Sequence, residues 1–182
     1  MRKKERAMRK WKIWLPIVLI ILAIAGGSFA YTYLTATQTI SVSGTGGDIA
    51  IVEPDGSPSW PDISGRQAGQ LPTVSLFTIN PKGDYTGNLL VKLYLTNTGE
   101  LIHVYQHLNM KIGLFNGSGG QVGRTEYLTL DNGVATIETD YGIGWVGVHK
   151  LKVTGGSYNT LKGVAGSGES FAPAFYAEVR QK

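Results

Sequence analysis

The 182-residue chain contains no cysteine. It can therefore form no disulfide, and thiol catalysis, iron–sulfur clusters and zinc sites built on cysteine are excluded. Secreted domains of this size often depend on disulfides for stability. A chain without them must be stabilised by core packing, by bound ions or by association with other chains.

Positive charge is scarce once the first twelve residues are passed. The formal net charge is +4, but seven of the 17 Lys and Arg residues precede Ile13. The remaining residues carry ten basic and twelve acidic side chains. No basic stripe is left to neutralise a row of phosphates, so the sequence predicts no nucleic-acid partner.

Histidine is also rare, and the chain shows no recognisable catalytic set. His103 and His107 are four residues apart. On one strand they would lie about 13 Å apart, too far to share a metal ion. Ser167 sits in a Gly-Ser-Gly turn rather than in a strand-turn-helix nucleophile motif. The sequence predicts that this protein is not an enzyme.

The N-terminal segment has the composition of an export signal. Its basic head, residues 2 to 12, precedes an uncharged apolar run that begins at Ile13 and extends to Leu34. Such a run is just long enough to span a membrane, and the positive flank predicts a cytoplasmic N-terminus.

Gly26-Gly27 interrupts this run at the usual length of a signal-peptide core. Ser28 and Ala30 place small residues where a signal peptidase reads them, so we expect a signal peptide over residues 1–30 and a mature chain that begins at Tyr31. The alternative is a retained single-pass anchor over residues 13–34, with the C-terminal domain outside the cell.

The rest of the sequence predicts an all-β protein. Short alternating segments are separated by glycine-rich turns, and no helical periodicity persists over three turns after Leu34. We expect an antiparallel β-sandwich over residues 48–182, either immunoglobulin-like or jelly-roll-like, preceded by the N-terminal hydrophobic helix. The predicted strands are Thr37–Ser43, Asp48–Glu53, Val74–Ile79, Asn88–Asn97, Leu101–Tyr105, Leu108–Phe115, a hairpin of Tyr127–Leu130 with Val134–Glu138, Gly142–Val153 and Ala174–Arg180.

A long surface loop is predicted from Pro54 to Pro72, and acidic residues lie in and before it. Calcium is the cation that such oxygen ligands would take, although the spacing matches no EF-hand. The preferred interpretation is that these acids are solvated and that the chain binds no cofactor. The calcium candidates are Asp48, Glu53, Asp55 and Asp62.

Two further residues are candidate contact sites. Trp60 could stack on a surface glycan or on a neighbouring subunit, but folding back onto the core is the preferred interpretation. Asn116 begins an Asn-Gly-Ser sequence in a predicted turn, which is an acceptor for N-glycosylation where the host modifies surface proteins.

Three short stretches resemble TasA and camelysin-type surface proteins. The leader exit at residues 25–31 is similar to their Gly-Gly-Thr-x-Ala-aromatic ending. Residues 97–101, Asn-Thr-Gly-Glu-Leu, are similar to a turn that follows a long strand, and residues 166–171 are similar to their approach to the closing strand. The stretches cover about a tenth of the chain, and their order carries the resemblance.

The resemblance implies a β-sandwich subunit of extracellular fibres in a biofilm matrix. Related archaeal pilins assemble by lending an N-terminal strand to the next subunit, which makes residues 31–47 the candidate donor segment. Its assembly residues would be Tyr31, Tyr33, Ile40 and Val42. The alternative is that this segment is the first strand of its own domain.

The sequence thus leads to two functional hypotheses. The first is an exported structural protein that polymerises with itself into a cell-surface filament by donor-strand exchange. The second is a membrane-tethered extracytoplasmic module for adhesion or binding. The expected partners are further copies of the chain, the membrane during export or as an anchor, and a surface glycan.

Overall fold

The computed structural model describes residues 38–47, 49–60, 68–82, 87–139, 147–162 and 172–182. These residues belong to a compact unit that extends from Thr37 to Lys182. Their regular structure is almost entirely β: β1 (Gln38–Thr39), β2 (Ser41–Thr45), β3 (Ala50–Pro54), β4 (Ser59–Trp60), β5 (Ala68–Gln70), β6 (Val74–Pro81), β7 (Leu89–Leu95), the single helical turn α1 (Thr98–Leu101), β8 (Tyr105–Phe115), β9 (Gln121–Thr129), β10 (Val134–Glu138), β11 (His149–Thr160) and β12 (Ala174–Gln181).

Two main sheets account for most of these strands. The smaller has the order β10-β7-β12-β2, and the larger has the order β3-β6-β11-β8-β9, with β5 also paired to β11. The short strands β1 and β4 pair separately. Apolar side chains from both main sheets form one buried cluster. The predicted all-β, sandwich-like character is therefore confirmed.

Strand β7 shows how the sequence produces this arrangement. Its burial alternates at every residue, with Leu89, Val91, Leu93 and Leu95 inward. Alternation with a period of two places one face of a strand on the core and the other toward solvent. β12 repeats the pattern beside it, so the two central strands of the smaller sheet present one continuous apolar face.

The smaller sheet is mixed rather than purely antiparallel. β2 pairs with β12 in parallel, whereas β7 pairs with β12 and β10 in antiparallel fashion. Parallel neighbours require a connection that crosses the fold. Here the chain between β2 and β12 passes through the whole of the larger sheet, so the strands of the smaller sheet that come first and last in the sequence lie side by side.

Residues 98–104 are not the beginning of a strand, contrary to the prediction for Leu101–Tyr105. Asn97 O accepts hydrogen bonds from the backbone N–H groups of Glu100 and Leu101, which closes the helical turn α1. Leu101 and Val104 are then buried against the core. The strand prediction failed because the apolar spacing of these residues suits a helical turn equally well.

The predicted hairpin around Asp131-Asn132-Gly133 is also wrong. The turn itself forms, and Gly133 adopts φ +57 there. However, β9 pairs with β8 in the larger sheet and β10 pairs with β7 in the smaller sheet. Leu95 N donates to Gly133 O, so the turn carries the chain from one sheet to the other.

In its described parts, the segment from Pro54 to Pro72 is more ordered than a surface loop. It contains β4 and β5, and β5 pairs with Ser157–Asn159 of β11. The other predicted strands are found with shifted ends. The first part of the predicted Gly142–Val153 strand, residues 142–146, lies outside the described residues.

Candidate functional site

The described part of the candidate donor segment, which begins at Gln38, lies within the fold of its own chain. β2 is the edge strand of the smaller sheet, and its registered partners on β12 run from Ala174 to Glu178. Ile40 is 2% exposed and belongs to the core, while Val42 is half-buried against it. Both assembly candidates in the described part of the chain therefore contact the core of their own domain.

A second contact holds this segment on its other side. β1 pairs with β4, and Ile40 N donates to Pro58 O over 3.1 Å. The long Pro54–Pro72 segment thus supplies backbone partners to the N-terminal strand. Tyr31 and Tyr33, like the cleavage residues Ser28 and Ala30, lie outside the described residues.

Gly44 allows β2 to lie unusually close to its neighbours. A Cβ added at Gly44 would come within 2.7 Å of Val52 Cγ1 and 2.9 Å of Ala177 O. No real Cβ tolerates such contacts, so a larger residue would move β2 away from β3 or from β12. Glycine at this position determines how β2 fits between the edges of the two sheets.

Trp60 is fully buried and offers no surface for a sugar or a subunit. Its Nε1 donates to Tyr105 Oη over 3.1 Å, and the rings of Tyr105 and Tyr158 meet edge to face with centroids 6.3 Å apart. Burial raises the pKa of Tyr105, so its hydroxyl stays neutral. The tryptophan fixes the Pro54–Pro72 segment to the larger sheet, as the core interpretation predicted.

The calcium candidates do not converge in the described part of the chain. Asp55 is engaged by Lys150, whose Nζ lies 2.8 and 3.0 Å from the two carboxylate oxygens. This contact lowers the pKa of Asp55 below its usual 3.8. Glu53 is exposed on β3, and Asp48 and Asp62 lie outside the described residues.

The three histidines lie on different parts of the fold. His103 is exposed in the turn after α1, and His107 is exposed on β8. His149 is fully buried, and its Nδ1 lies 3.0 Å from Gly147 O. Within the described ranges, no group of three or more His, Asp or Glu side chains is placed to hold a metal ion.

Asn116 occupies the turn between β8 and β9, as its sequence predicts. Its Oδ1 accepts hydrogen bonds from Gly120 N (2.7 Å) and from Ser118 Oγ (2.9 Å). The three residues after Gly117 are exposed, but the Asn116 side chain itself is half-buried by these contacts. An N-linked glycan would be attached to Asn116 Nδ2, while Oδ1 continues to close the turn.

The outer face of the smaller sheet carries a set of side chains that the sequence did not single out. Tyr94 and Tyr176 are neighbours across β7 and β12, with ring centroids 5.9 Å apart. Tyr94 Oη donates to Glu178 Oε2 over 3.3 Å, and burial together with this carboxylate raises the pKa of Tyr94. The two tyrosines are 82 positions apart in the chain, so no local pattern connects them.

A cleft of about 390 Å³ opens at the far corner of the same face. Three strands contribute to its lining, which consists of Leu90 from β7, Thr136 and Glu138 from β10, and Gly123, Arg124 and Glu126 from β9. The alternating polar positions of β7 and β10 gave a sequence signal for the sheet face. No sequence signal indicated that β10 pairs with β7, which is the pairing that places these positions together.

The comparisons with known proteins leave the family open. The sequence matches no protein-family model and no curated protein sequence. In the part of the chain that begins at Gln38 and is described by the structure, no helix is long and apolar enough to cross a membrane.

Proposed function

We propose that this protein is an exported structural subunit that assembles with further copies of itself at the cell surface. The leader-like N-terminus and the order of the short stretches that resemble TasA-type proteins support export and fibre formation. The proposal also includes an immunoglobulin-like or jelly-roll-like topology and an N-terminal helix. It further includes the absence of enzymatic activity.

The position of β2 is the observation that carries the assembly step. β2 is an edge strand, and β12 is the only described strand of its sheet that pairs with it. Withdrawal of β2 would open one row of hydrogen-bonding groups on β12 and uncover the core position of Ile40. The same segment of another copy could fill this position with identical contacts.

Exchange of this kind would continue from subunit to subunit. A head-to-tail contact that does not close into a ring produces a filament. Each fold would then be completed by its neighbour, which would stabilise a domain that contains no disulfide. This segment contributes to the folded chain as well as to the proposed filament, so charged replacements at Ile40 would disturb both.

A pair of introduced cysteines can distinguish β2 that pairs within its own chain from β2 that is donated to another copy. The experiment is possible because the chain has no cysteine of its own. Ser43 and Tyr176 are registered partners on β2 and β12. In the full-length variant Ser43→Cys/Tyr176→Cys, produced at the cell surface and oxidised, strand exchange should yield a ladder of covalent oligomers on a non-reducing gel. Reduction should collapse the ladder to one band.

The matched control is Lys92→Cys/Thr136→Cys, which joins registered partners on β7 and β10. This pair should close within one chain under either arrangement, so a ladder from the control would indicate nonspecific oxidation. A Ser43/Tyr176 pair that closes entirely within single chains, in material that forms filaments, would refute strand exchange. The absence of any assembly in negative-stain images would refute the structural role.

A further inference from the structure

The outer face of the smaller sheet has a regular layout of three rows. Strand pairing aligns Val134, Tyr94, Tyr176 and Ser43 in the first row and Thr136, Lys92, Glu178 and Thr45 in the second. The third row contains Glu138, Leu90 and Arg180. The tyrosine pair and the cleft at Leu90 therefore lie on one face, about 13 Å apart along β7 at roughly 3.3 Å per residue.

The tyrosine end offers aromatic surface with polar tips. Both rings are half-buried, so part of each remains accessible. Their planes are tilted by 41°, which forms a shallow step rather than a stacked pair. Tyrosine combines an apolar ring with a hydroxyl that needs a partner, and it is favoured where one side of a contact is apolar and the other is wet.

The cleft end of this face contains hydrogen-bonding side chains of both positive and negative charge. Arg124 forms no ion pair with any described residue, and neither does Glu126. Glu138 is paired with Lys182. The lining thus contains one cationic and two anionic side chains, one of them neutralised by Lys182, together with the Thr136 hydroxyl. The arrangement supplies donors and acceptors without favouring a ligand of either charge.

The shape of the cleft depends on a bend in β9. The pairing of β8 with β9 shifts between Ile112 and Leu114, and Gly123 adopts φ +72 at this point. This β-bulge brings the backbone of β9 against β10 and places Arg124 at the rim. Bulges often redirect side chains at binding sites.

We propose that this face binds a neutral polysaccharide, with sugar rings on Tyr94 and Tyr176 and a further ring in the cleft. Ring hydroxyls would pair with Arg124, Glu138 and Thr136. A protein partner is disfavoured because the large exposed apolar side chains that anchor such interfaces lie elsewhere. They are Ile51, Ile102, Tyr127, Val148 and Leu161.

The test is titration calorimetry of the full-length chain with cellohexaose and with chitohexaose. Any detergent used with the full-length chain must have no sugar headgroup, because such a headgroup would compete with the probes. We expect at least one of these neutral probes to bind, and Arg124→Ala and Tyr176→Leu each to weaken that binding at least about tenfold. Arg124 is exposed, so its replacement removes no buried contact. Leucine at position 176 keeps apolar bulk on the sheet and removes the ring.

The matched control is Tyr127→Leu, because Tyr127 is 50% exposed and, as the residue after Glu126, lies on the opposite face of β9 from that cleft residue. This variant should bind within about twofold of the unaltered chain. Three results would overturn the inference: binding of neither probe at millimolar concentration, equal loss in Tyr127→Leu, or binding of a galacturonic acid hexamer alone. None of these results depends on whether the chain forms filaments, so this inference and the proposed function fail separately.

Discussion

Trp60 is the residue that anchors the Pro54–Pro72 segment, and it does so through a buried hydrogen bond. The indole N–H has its acceptor in Tyr105 Oη, and both side chains are at most 2% exposed. A buried donor that loses its acceptor costs its full desolvation free energy.

We therefore expect Tyr105→Phe to lower the free energy of unfolding by about 1–3 kcal/mol, because it leaves Trp60 Nε1 without that acceptor. Urea unfolding followed by tryptophan fluorescence would measure the change. Tyr127→Phe makes the same chemical change at an exposed position and should stay within about 0.5 kcal/mol. Equal effects in the two variants would show that the Trp60 contact contributes no stability.

His149 links stability to pH. Its burial lowers its pKa below the usual 6.5. The unfolded chain takes up a proton near pH 6.5 that the folded chain binds only at lower pH, so the contribution of His149 is complete above this pH. It decreases as the pH falls toward the folded pKa, by at most about 1.4 kcal/mol per pH unit.

Urea unfolding between pH 5 and 8 should therefore show stability decreasing below about pH 6.5. His149→Gln should flatten this part of the curve, whereas His107→Gln alters an exposed histidine and should leave it unchanged. Asp55 acts in a different range. Its lowered pKa contributes stability above about 3.8 that is lost only in stronger acid. A decrease that persists unchanged in His149→Gln would assign it to another group.

At the scale of elements, the bulge in β9 closes one side of the domain. A Cβ added at Gly123 would lie 2.6 Å from Glu138 O and 3.0 Å from Ile137 Cγ2. β9 and β10 are edge strands of different sheets, so this contact joins the sheets where no ladder does. Contacts of this kind also protect edge strands from unwanted pairing.

The prediction compares two glycines with positive φ. Gly119 has φ +85 and open space around it, whereas Gly123 has φ +72 and the close contact with β10. Gly119→Ala should cost roughly 1–2 kcal/mol from backbone strain alone. Gly123→Ala should cost clearly more, because the same strain is combined with displacement of β10. Thermal unfolding of both variants measures the difference, and equal losses would show that β10 is free to move.

At the scale of the whole molecule, the proposed processing of the N-terminus would decide which of the two proposed assemblies is accessible. A chain cleaved after Ala30 would have a free N-terminus seven residues before β1, so the segment could leave its own sheet and reach a neighbour. A retained anchor would hold the same segment close to the membrane. Filament formation and tethered binding therefore differ in this one covalent bond.

We expect mass spectrometry of protein recovered from the cell surface to find Tyr31 at the N-terminus. Replacement of Ala30 by a bulky residue should block cleavage, since the peptidase requires a small residue there. It should also keep the protein in the membrane fraction. Recovery of intact peptides that cover Lys12 to Ala30 from surface material would contradict cleavage and favour the tethered module.

The sequence by itself determined the local elements of this protein. The residue patterns of Asn88–Asn97 and Ala174–Arg180 predicted β7 and β12, because a period of two is a property of the strand backbone. Glycine and asparagine at residues 116–120 and 131–133 predicted turns for equally local reasons. The core position of Trp60 followed from the size of an apolar ring in a proline-rich segment.

Only the tertiary structure decided which strands pair. Asp131-Asn132-Gly133 predicted a hairpin, yet the chain leaves the larger sheet at this turn because β10 completes the smaller sheet beside β7. The parallel pairing of β2 with β12 was equally impossible to predict from local sequence, since β12 is the last strand of the chain. The sheet face with Tyr94, Tyr176 and the cleft depends on these pairings. Pairing results from burying two apolar faces in one core, and this free energy belongs to the whole chain rather than to any segment.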